Sequence, residues 1–264
     1  MRETFNRSEG RRVFGRDAAG YHRARPGHPD RVYDVLVERC GLGPGAVVLE
    51  IGPGTGQATR PLLERGAARL VAIEPDLELA DYLPTVTDGR PEILRTTLEE
   101  AALPDATFDL GVAASSFHWI EPRTGLAVVR RALRPGGWWA MWWTHFGDDS
   151  RPDPFRDAID HLMTDLPSSP GASGISRDPE AALEALAEAG LERGEAELIR
   201  SSREWDARGI RALFATFSPI ARLEPVERDQ ILDEVERIAR EEFGGRVVKP
   251  QVTRLYTAQS PSCA

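Results

Sequence analysis

The fold is decided by one stretch of this chain, Val47-Val48-Leu49-Glu50-Ile51-Gly52-Pro53-Gly54-Thr55-Gly56. A run of β-branched and aliphatic residues ends here in glycines at alternate positions, and helix-compatible residues follow from Gln57 to Arg65. Glycines let a ligand approach the backbone closely, and the N–H groups at the start of a helix favour electron-rich ligand groups. The order of strand, tight turn and helix therefore predicts a nucleotide-like ligand at the end of a buried strand.

The spacing of the glycines narrows the choice of ligand. The dinucleotide-binding fingerprint is G-x-G-x-x-G, with the pyrophosphate on the N-terminus of the helix. Here the third glycine, Gly56, falls one residue early, and Gln57 stands where the fingerprint has glycine. The spacing therefore disfavours a dinucleotide, although a glycine-rich turn alone can also be simple turn chemistry.

A second strand supplies an independent signal. The apolar run from Leu70 to Ile73 ends in Glu74, about 20 residues after the glycine loop, where an acidic side chain can accept hydrogen bonds from both hydroxyls of a ribose. The alternative is a solvated carboxylate at the end of a strand. Enzymes that use NAD place an acid at the same point, so Glu74 indicates a nucleoside without identifying it. Asp76 is predicted to cap the following helix.

Together these segments resemble the E/D-x-G-x-G-x-G signature and second motif of class I S-adenosylmethionine (SAM) methyltransferases. The resemblance implies that the glycine loop passes under the methionine part of SAM. The stretch 133–137, Leu-Arg-Pro-Gly-Gly, is similar to the family's L-x-P-G-G turn before the fifth strand. Cofactor contacts are then expected at Tyr21, Arg25, Glu50, Gly52, Pro53, Gly54, Gly56, Gln57, Glu74, Pro75, Thr97, Leu98, Glu99, Ala114 and Ser115.

The stretch 14–26 resembles the F-G-x-x-A-x-x-Y-x-x-x-R-P opening of small-molecule methyltransferases of the trans-aconitate type, in the methyltransferase type 11 group. In that group the opening helix closes over the cofactor. Tyr21 and Arg25 are then candidates to bind the methionine carboxylate, to which a phenol or a guanidinium can donate charge-assisted hydrogen bonds. The alternative is an amphipathic helix with a solvated arginine.

The adenine pocket departs from the family pattern. Thr97 stands where the family commonly has Asp, and Leu98 fits the apolar position that packs on the ring. Recognition of the adenine amino group is left to a backbone carbonyl, to the Thr97 hydroxyl or to Glu99.

The residues after the fourth strand, Ser115-Ser116-Phe117-His118-Trp119-Ile120, look like the family's apolar-His-Trp segment. His118 is the first candidate for a base or an acceptor-orienting residue, because the unperturbed pKa of histidine is near neutrality. The alternative is a histidine bonded to backbone that shapes the loop. Phe117 and Trp119 are predicted to line the substrate pocket.

The fifth strand, 138–145, is unusually aromatic. Alternation with a period of two sends Trp138, Trp142 and Thr144 to one face and Trp139, Trp143 and His145 to the other. Most of this bulk is predicted to be core. Trp143 and Thr144 lie at the end of the strand where substrate would bind, and His145 is the second candidate base.

Alternating strand and helix signals predict an α/β fold, a doubly wound, seven-stranded Rossmann-like sheet, parallel with one antiparallel edge strand. The expected organisation has N-terminal cap helices in 1–45, a SAM-binding core in 46–204 with a mobile loop near 147–178, a helical lid insertion in 205–245, and a closing edge strand and tail in 246–264.

Composition sets the outer limits. The chain has 264 residues and a formal net charge of −9, without a basic tract, which disfavours a nucleic-acid substrate and weakly favours neutral or cationic small acceptors. Cys40 and Cys263 are far apart and predict neither a disulfide framework nor a metal site. No signal-peptide pattern and no apolar run of membrane-spanning length are seen, so a soluble cytoplasmic protein is predicted.

The favoured function is transfer of a methyl group from SAM to an oxygen or nitrogen, less readily a carbon, of a small metabolite, by a monomer or a homodimer. SAM would leave as S-adenosylhomocysteine (SAH). One alternative is an NAD-type oxidoreductase, and another is a non-catalytic protein that binds SAM or SAH.

Overall fold

The computed structural model describes residues 17–164, 166 and 174–262. Its α-helices are α1 (Ala18–Ala24), α2 (Asp30–Glu38), α3 (Thr59–Glu64), α4 (Leu77–Thr87), α5 (Pro122–Ala132), α6 (Pro154–Met163), α7 (Pro179–Glu188), α8 (Ala207–Ala215), α9 (Ser218–Ala221) and α10 (Pro225–Glu241). Its strands are β1 (Val47–Ile51), β2 (Arg69–Ile73), β3 (Glu92–Leu94), β4 (Phe108–Ala114), β5 (Leu133–His145), β6 (Glu192–Asp206) and β7 (Arg246–Gln259).

The strands form one seven-stranded sheet in the order β3-β2-β1-β4-β5-β7-β6. The first five strands are parallel, and β7 pairs antiparallel with both β5 and β6. The predicted doubly wound fold with antiparallel pairing at one edge is confirmed. The antiparallel strand β7 lies one place in from that edge, because β6 is outermost.

Apolar side chains cover both faces of the sheet. Trp139 and Trp143 on β5 belong to one core cluster, and Trp142 belongs to the cluster on the opposite face, with Trp138 packed against it. The predicted alternation along β5 is therefore confirmed. Burying a tryptophan removes about 200 Å² from water, worth roughly 5 kcal/mol at 25 cal/mol per Å². This burial gives the centre of the sheet a rigid support for the loops at its edge.

The turn between α5 and β5 differs from the prediction in one respect. The helix stops at Ala132, before the Pro-Gly-Gly sequence, and the strand begins at Leu133, not at residue 138. Leu133 pairs with Phe108, and the register then shifts so that Leu110 pairs with Trp138. A Cβ on Gly137 would lie 2.9 Å from the Phe108 carbonyl oxygen, so glycine is required where the irregular strand approaches its neighbour.

A third apolar cluster lies beside the sheet and joins α6, α8, α9 and α10. A loop was predicted throughout 147–178, which is wrong for α6. Asp153 accepts a hydrogen bond from the Arg156 amide at 3.0 Å, and Phe155 and Ile159 are buried one turn apart. An N-cap, a proline at the first helical position and an i, i+4 apolar pair therefore start a helix in a stretch rich in polar residues. Residue 165 and residues 167–173 lie outside the described part of the chain.

A buried ion pair ties this third cluster to the sheet. Lys249 Nζ on β7 lies 2.5 Å from Asp153 Oδ2, and the two side chains are 2% and 0% exposed. Asp153 therefore both caps α6 and neutralises a buried lysine.

In the part of the chain that the structure describes, no helix is long and apolar enough to cross a membrane. Among these same residues, no group of three or more His, Cys, Asp or Glu side chains is arranged to hold a metal ion.

Candidate active site

The carboxyl ends of the parallel strands open on a cavity of about 290 Å³. This is the edge where doubly wound sheets bind ligands. Most of the predicted site residues line this cavity: Tyr21, Arg25, Gly52, Pro53, Gly54, Gln57, Glu74, Pro75, Thr97, Leu98, Ala114, Ser115, His118, Trp119, Trp143, Thr144 and His145. Glu50, Gly56, Glu99 and Phe117 are not in its lining.

The three glycines of the loop after β1 do different things. All have positive φ, which favours glycine. A Cβ on Gly52 would lie 2.6 Å from Ser116 Cβ, whereas a Cβ on Gly54 would meet nothing within 4 Å. Gly54 therefore faces the open cavity, and a ligand can approach its backbone.

Gly56 serves packing and not the cavity. A Cβ there would lie 3.0 Å from Leu83 Cδ1 and 3.1 Å from Val86 Cγ2, both on α4. Gly56 was predicted to contact the cofactor, but it does not line the cavity. At this residue the loop has already turned away from the cavity and packs against α4.

Phe117 and Glu99 are also displaced from the predicted site. Phe117 is fully buried, and its ring centroid lies 5.2 Å from that of Trp139. The 3₁₀ turn 117–119 directs it into the core, so it does not line the pocket. Glu99 is exposed outside the cavity, whereas its neighbours Thr97 and Leu98 line it.

Glu74 is 4% exposed and lines the cavity. Its Oε2 accepts a hydrogen bond from the Gly54 amide at 3.0 Å, and its Oε1 accepts one from the Asp76 amide at 3.0 Å. Asp76 in turn caps α4, as predicted, by accepting hydrogen bonds from the amides of Glu78 and Leu79. Backbone groups thus hold the Glu74 carboxylate at the wall of the cavity, where a carboxylate can accept hydrogen bonds from ligand hydroxyls.

Glu50 lies behind the glycine loop, fully buried and outside the cavity lining. Neither of its carboxyl oxygens has a hydrogen bond of normal geometry. Burial raises the pKa of Glu50 to about 8, against a smaller opposing effect of the neighbouring Thr59 hydroxyl and with a further rise from the Glu74 charge. The acid of the signature is therefore predominantly neutral at pH 7, and its predicted direct contact with the cofactor is not supported by its position.

His118 is held by a tryptophan on β5. The Trp143 indole N–H donates a hydrogen bond to His118 Nδ1 at 3.0 Å. Nδ1 is therefore the unprotonated nitrogen, and in the neutral ring Nε2 carries the proton. Because the Nδ1 lone pair already accepts the Trp143 hydrogen bond, His118 is better suited to orient the acceptor than to remove a proton from it.

His145 has a different partner. Its Nε2 donates to the Ser176 carbonyl oxygen at 3.2 Å, which leaves Nδ1 unprotonated in the neutral ring. Burial lowers the pKa of His145 to about 4, the Ser176 hydrogen bond opposes this shift, and the nearby charges of Arg177 and Arg254 add to it. His145 is therefore neutral at pH 7 and a weak base.

The N-terminal helix α1 brings Tyr21 and Arg25 to the cavity. Arg25 donates to the Thr216 carbonyl oxygen at 3.2 Å, and its guanidinium lies 5.1 Å from the ring centroids of both Phe146 and Phe217. Arg25 thus joins α1 to the helical insertion. The opening motif residues Phe14, Gly15 and Arg16 lie outside the described part of the chain.

Sequence reasoning missed several lining residues, of which His28 is the most informative. Its Nδ1 lies 3.2 Å from Thr144 Oγ1, and its ring meets Trp142 edge-on at 5.5 Å. Burial, with a further contribution from Arg25, lowers the pKa of His28 to about 4. The sequence shows His28 only as the residue before a proline at a helix start, so nothing local points to the cavity. Phe146 and Ser218 were missed for the same reason.

A second cavity, of about 580 Å³, adjoins the first. The two share Arg25, Thr144, His145, Phe146 and Ser218 in their linings. The end of β5 is therefore the boundary between two adjacent binding spaces.

Comparison with known proteins agrees with this geometry. Residues 49–141 match the family model described as a methyltransferase domain. An uncharacterised methyltransferase of Geobacillus kaustophilus is 30% identical over 157 residues, which cover 56% of this chain and 71% of that protein. One of Mycobacterium tuberculosis is 35% identical over 130 residues, 49% of this chain and 51% of the relative. The chain thus spans about half the length of the mycobacterial relatives it matches.

Solved structures share the fold. A structure from Anaeromyxobacter dehalogenans assigned to the type II methyltransferases superposes with a TM-score of 0.66 and 21% identity, over 90% of this chain and 99% of that one. Phosphoethanolamine N-methyltransferase 2 of Haemonchus contortus, in complex with phosphomonomethylethanolamine and SAH, superposes with a TM-score of 0.58 and 14% identity, over 94% of this chain and 58% of that one.

The sheet order, the glycine loop and the Glu74 carboxylate define a class I Rossmann-like methyltransferase fold. With the matches above, they show that the chain belongs to the SAM-dependent methyltransferases, in the family of the methyltransferase domain. The cofactor of this family is SAM.

Proposed function

We propose that this protein transfers a methyl group from SAM to an oxygen or nitrogen of a small metabolite. The observation that carries the proposal is the pair of adjoining cavities, which share Thr144 and His145 at the end of β5. The first has the chemistry of a SAM site, and the second offers space for an acceptor on the far side of the shared boundary.

The residues of the first cavity fit the cofactor. Gly54 leaves open space where a side chain would otherwise project, and the buried Glu74 carboxylate lines the cavity, where a carboxylate suits the hydroxyls of a ribose. Leu98 supplies an apolar wall beside Thr97, where an adenine ring would pack. Glu50 lies buried behind the loop and outside the lining of the cavity.

SAM, when bound, supplies a methyl group already activated on a sulfonium. The acceptor atom forms a bond to the methyl carbon as the carbon–sulfur bond breaks, and that electron pair stays on sulfur, leaving SAH. The protein has chiefly to align the acceptor, because proximity and orientation carry much of such a rate. We assign this task to His118, whose Nε2 proton is fixed by the Trp143 bond, and to Thr144.

A base is needed only where the acceptor still carries a proton. His145 has a free Nδ1 lone pair in its neutral form, but burial holds its pKa near 4. The site is therefore better suited to an acceptor atom that is already deprotonated than to an ammonium or a phenol.

We further propose that the described part of the N-terminal cap, residues 17–45, and the helical insertion 205–245 close over the bound pair. Support comes from Arg25, which lines both cavities and bonds to Thr216 at the end of α8. A cytoplasmic location and a monomeric or dimeric state stay predictions of the sequence.

The test is calorimetric titration with SAH, and separately with NAD, of wild-type protein and two glycine variants. Gly54→Val fills the open space of the cavity and is expected to abolish SAH binding in a folded protein. Gly89→Val is the matched control, because Gly89 also has positive φ and open space around its Cβ but lies outside the cavity. SAH binding retained by folded Gly54→Val, or binding of NAD alone by wild type, contradicts the proposal.

A non-catalytic SAH-binding protein is the remaining alternative. Turnover of any small acceptor with release of SAH excludes it, and tight SAH binding without turnover across a broad acceptor panel favours it.

A further inference from the structure

The second cavity is strongly basic, although the chain as a whole carries a formal charge of −9. Five arginines line it against two aspartates. The charge of the side chains that line this cavity is therefore opposite in sign to the net charge of the chain.

Three of the five arginines are occupied. Arg156 pairs with Asp149 at 2.8 Å, and Arg200 pairs with Asp148 at 3.1 Å. Arg25 has no ion pair among the described residues, and its Nε has no hydrogen-bond partner there, but its guanidinium is packed between aromatic rings and donates to a backbone carbonyl. Both aspartates are thus already engaged by arginines.

The other two arginines, Arg177 and Arg254, have no ion pair within the described ranges of the chain. Arg177 follows the 3₁₀ turn 174–176 and is exposed, whereas Arg254 is half-buried on β7. Both side chains line the second cavity together with His145 and Asp149, and both guanidinium charges lower the pKa of each of these two groups. His145 is part of the boundary with the cofactor cavity.

We propose that Arg177 and Arg254 bind an anionic group of the methyl acceptor, a carboxylate or a phosphate. This inference rests on the proposed function and names the substrate class of its second cavity. Guanidinium groups form strong charge-assisted and bidentate hydrogen bonds to both kinds of anion. An acceptor anchored there extends past His145 and Thr144 towards the transferred methyl group.

The other charged groups around this point agree with the assignment. Asp149 is held by Arg156, and Asp148 is held by Arg200 and by the Ser150 hydroxyl at 2.6 Å. Asp178, next to Arg177, caps α7 by accepting from the amides of Glu180 and Ala181. The carboxylates near the two arginines therefore have partners of their own.

The experiment titrates SAH-loaded protein with glutarate, with inorganic phosphate and with glutaramide as the uncharged counterpart of glutarate. Glutarate or phosphate is expected to bind, with an affinity that falls as salt rises, and glutaramide is not. Binding of glutarate alone assigns a carboxylate, and binding of phosphate alone assigns a phosphate. Absence of both, or equal binding of glutaramide, overturns the inference.

Variants locate the anion. Arg254→Met and Arg177→Met are each expected to weaken anion binding at least tenfold and to leave SAH affinity unchanged. Arg90→Met, at an exposed arginine far from both cavities, is the control. Unchanged anion affinity in both cavity variants overturns the inference. If the wild-type protein does not bind SAH, that separate result contradicts the proposed function itself.

Discussion

The two adjoining cavities are built in different ways. The cofactor cavity is shaped largely by loops that directly follow β1, β2 and β4, and its decisive contacts involve backbone, as where Glu74 accepts from the Gly54 amide. The second cavity, which we propose holds the acceptor, is shaped by side chains from segments far apart in the sequence, among them Arg25, His145, Arg177 and Arg254. The shape of the cofactor cavity therefore follows largely from local turns at strand ends, whereas that of the second cavity depends on how distant segments pack.

The charges of the two regions differ as well. Buried acids, Glu50 and Glu74, lie on the cofactor side, whereas the second cavity is lined in part by arginines that have no ion pair among the described residues. The sequence-based expectation of a neutral or cationic acceptor rested on the net charge alone, whereas the anion site that we propose in the second cavity predicts an anionic acceptor. Net charge describes long-range steering and not the interior of a site.

The largest expected effect tests whether the two regions are independent. Asp153→Ala removes the partner of the buried Lys249 and the cap of α6, and is expected to cost about 3–5 kcal/mol of unfolding free energy, because a buried charge is left without compensation. Urea unfolding measures this cost, with Asp157→Ala, an exposed acid on the same helix, as control. SAH affinity of the folded variant is expected to be unchanged, and a large drop would show that the acceptor side supports the cofactor side.

The next prediction concerns the buried acid behind the glycine loop. Glu50 has a folded-state pKa raised to about 8 from an ordinary value of 4.5, so folding retains a proton that the unfolded chain has lost. The stabilisation by this retained proton is fully present below pH 4.5 and is lost as pH rises towards 8. By pH 7 the unfolding free energy has fallen by an amount on the order of 3 kcal/mol from this cause.

Glu50→Gln removes this dependence. The variant is expected to gain stability relative to wild type as pH rises from 4.5 to 7, measured by urea unfolding at several pH values. Glu188→Gln, at an exposed position on α7, should show no such trend. If the difference in unfolding free energy between Glu50→Gln and wild type stays constant with pH, Glu50 is ionised in the folded protein at pH 7.

A smaller effect is expected for the ribose contact. Glu74→Ala removes the acceptor for a ligand hydroxyl and for the Gly54 amide, and is expected to weaken SAH binding by about 1–3 kcal/mol, the cost of leaving buried polar groups unpaired. Calorimetry with Glu78→Ala as control, an exposed acid on the following helix, measures it. An affinity equal to that of wild type would remove Glu74 from the site.

The smallest effect concerns the boundary between the regions. The hydrogen bond from Trp143 to His118 is expected to contribute about 1 kcal/mol of coupling, the usual net value of such a bond. A double-mutant cycle of Trp143→Phe and His118→Phe measures this coupling in unfolding free energy. A coupling energy near zero would leave His118 without a fixed tautomer and withdraw its orienting role.

The sequence by itself determined the fold class and the place of the cofactor cavity. The glycine loop, the acid after β2 and the capping Asp76 depend on local rules, namely positive φ, strand ends and helix termini, which a short stretch of residues satisfies alone. The alternation along β5 is local in the same sense. These features could be predicted because their physical causes act between near neighbours in the chain.

Only the tertiary structure decided which members of those motifs face the cavity and what lies opposite them. Gly56 packs against α4, Phe117 enters the core, and Glu50 is buried as a neutral acid, although all three stand in or beside recognisable motifs. Arg177 and Arg254 line the same cavity because of how β7 and the turn before α7 pack. Burial and electrostatic environment are properties of the whole packed chain, and no local pattern contains them.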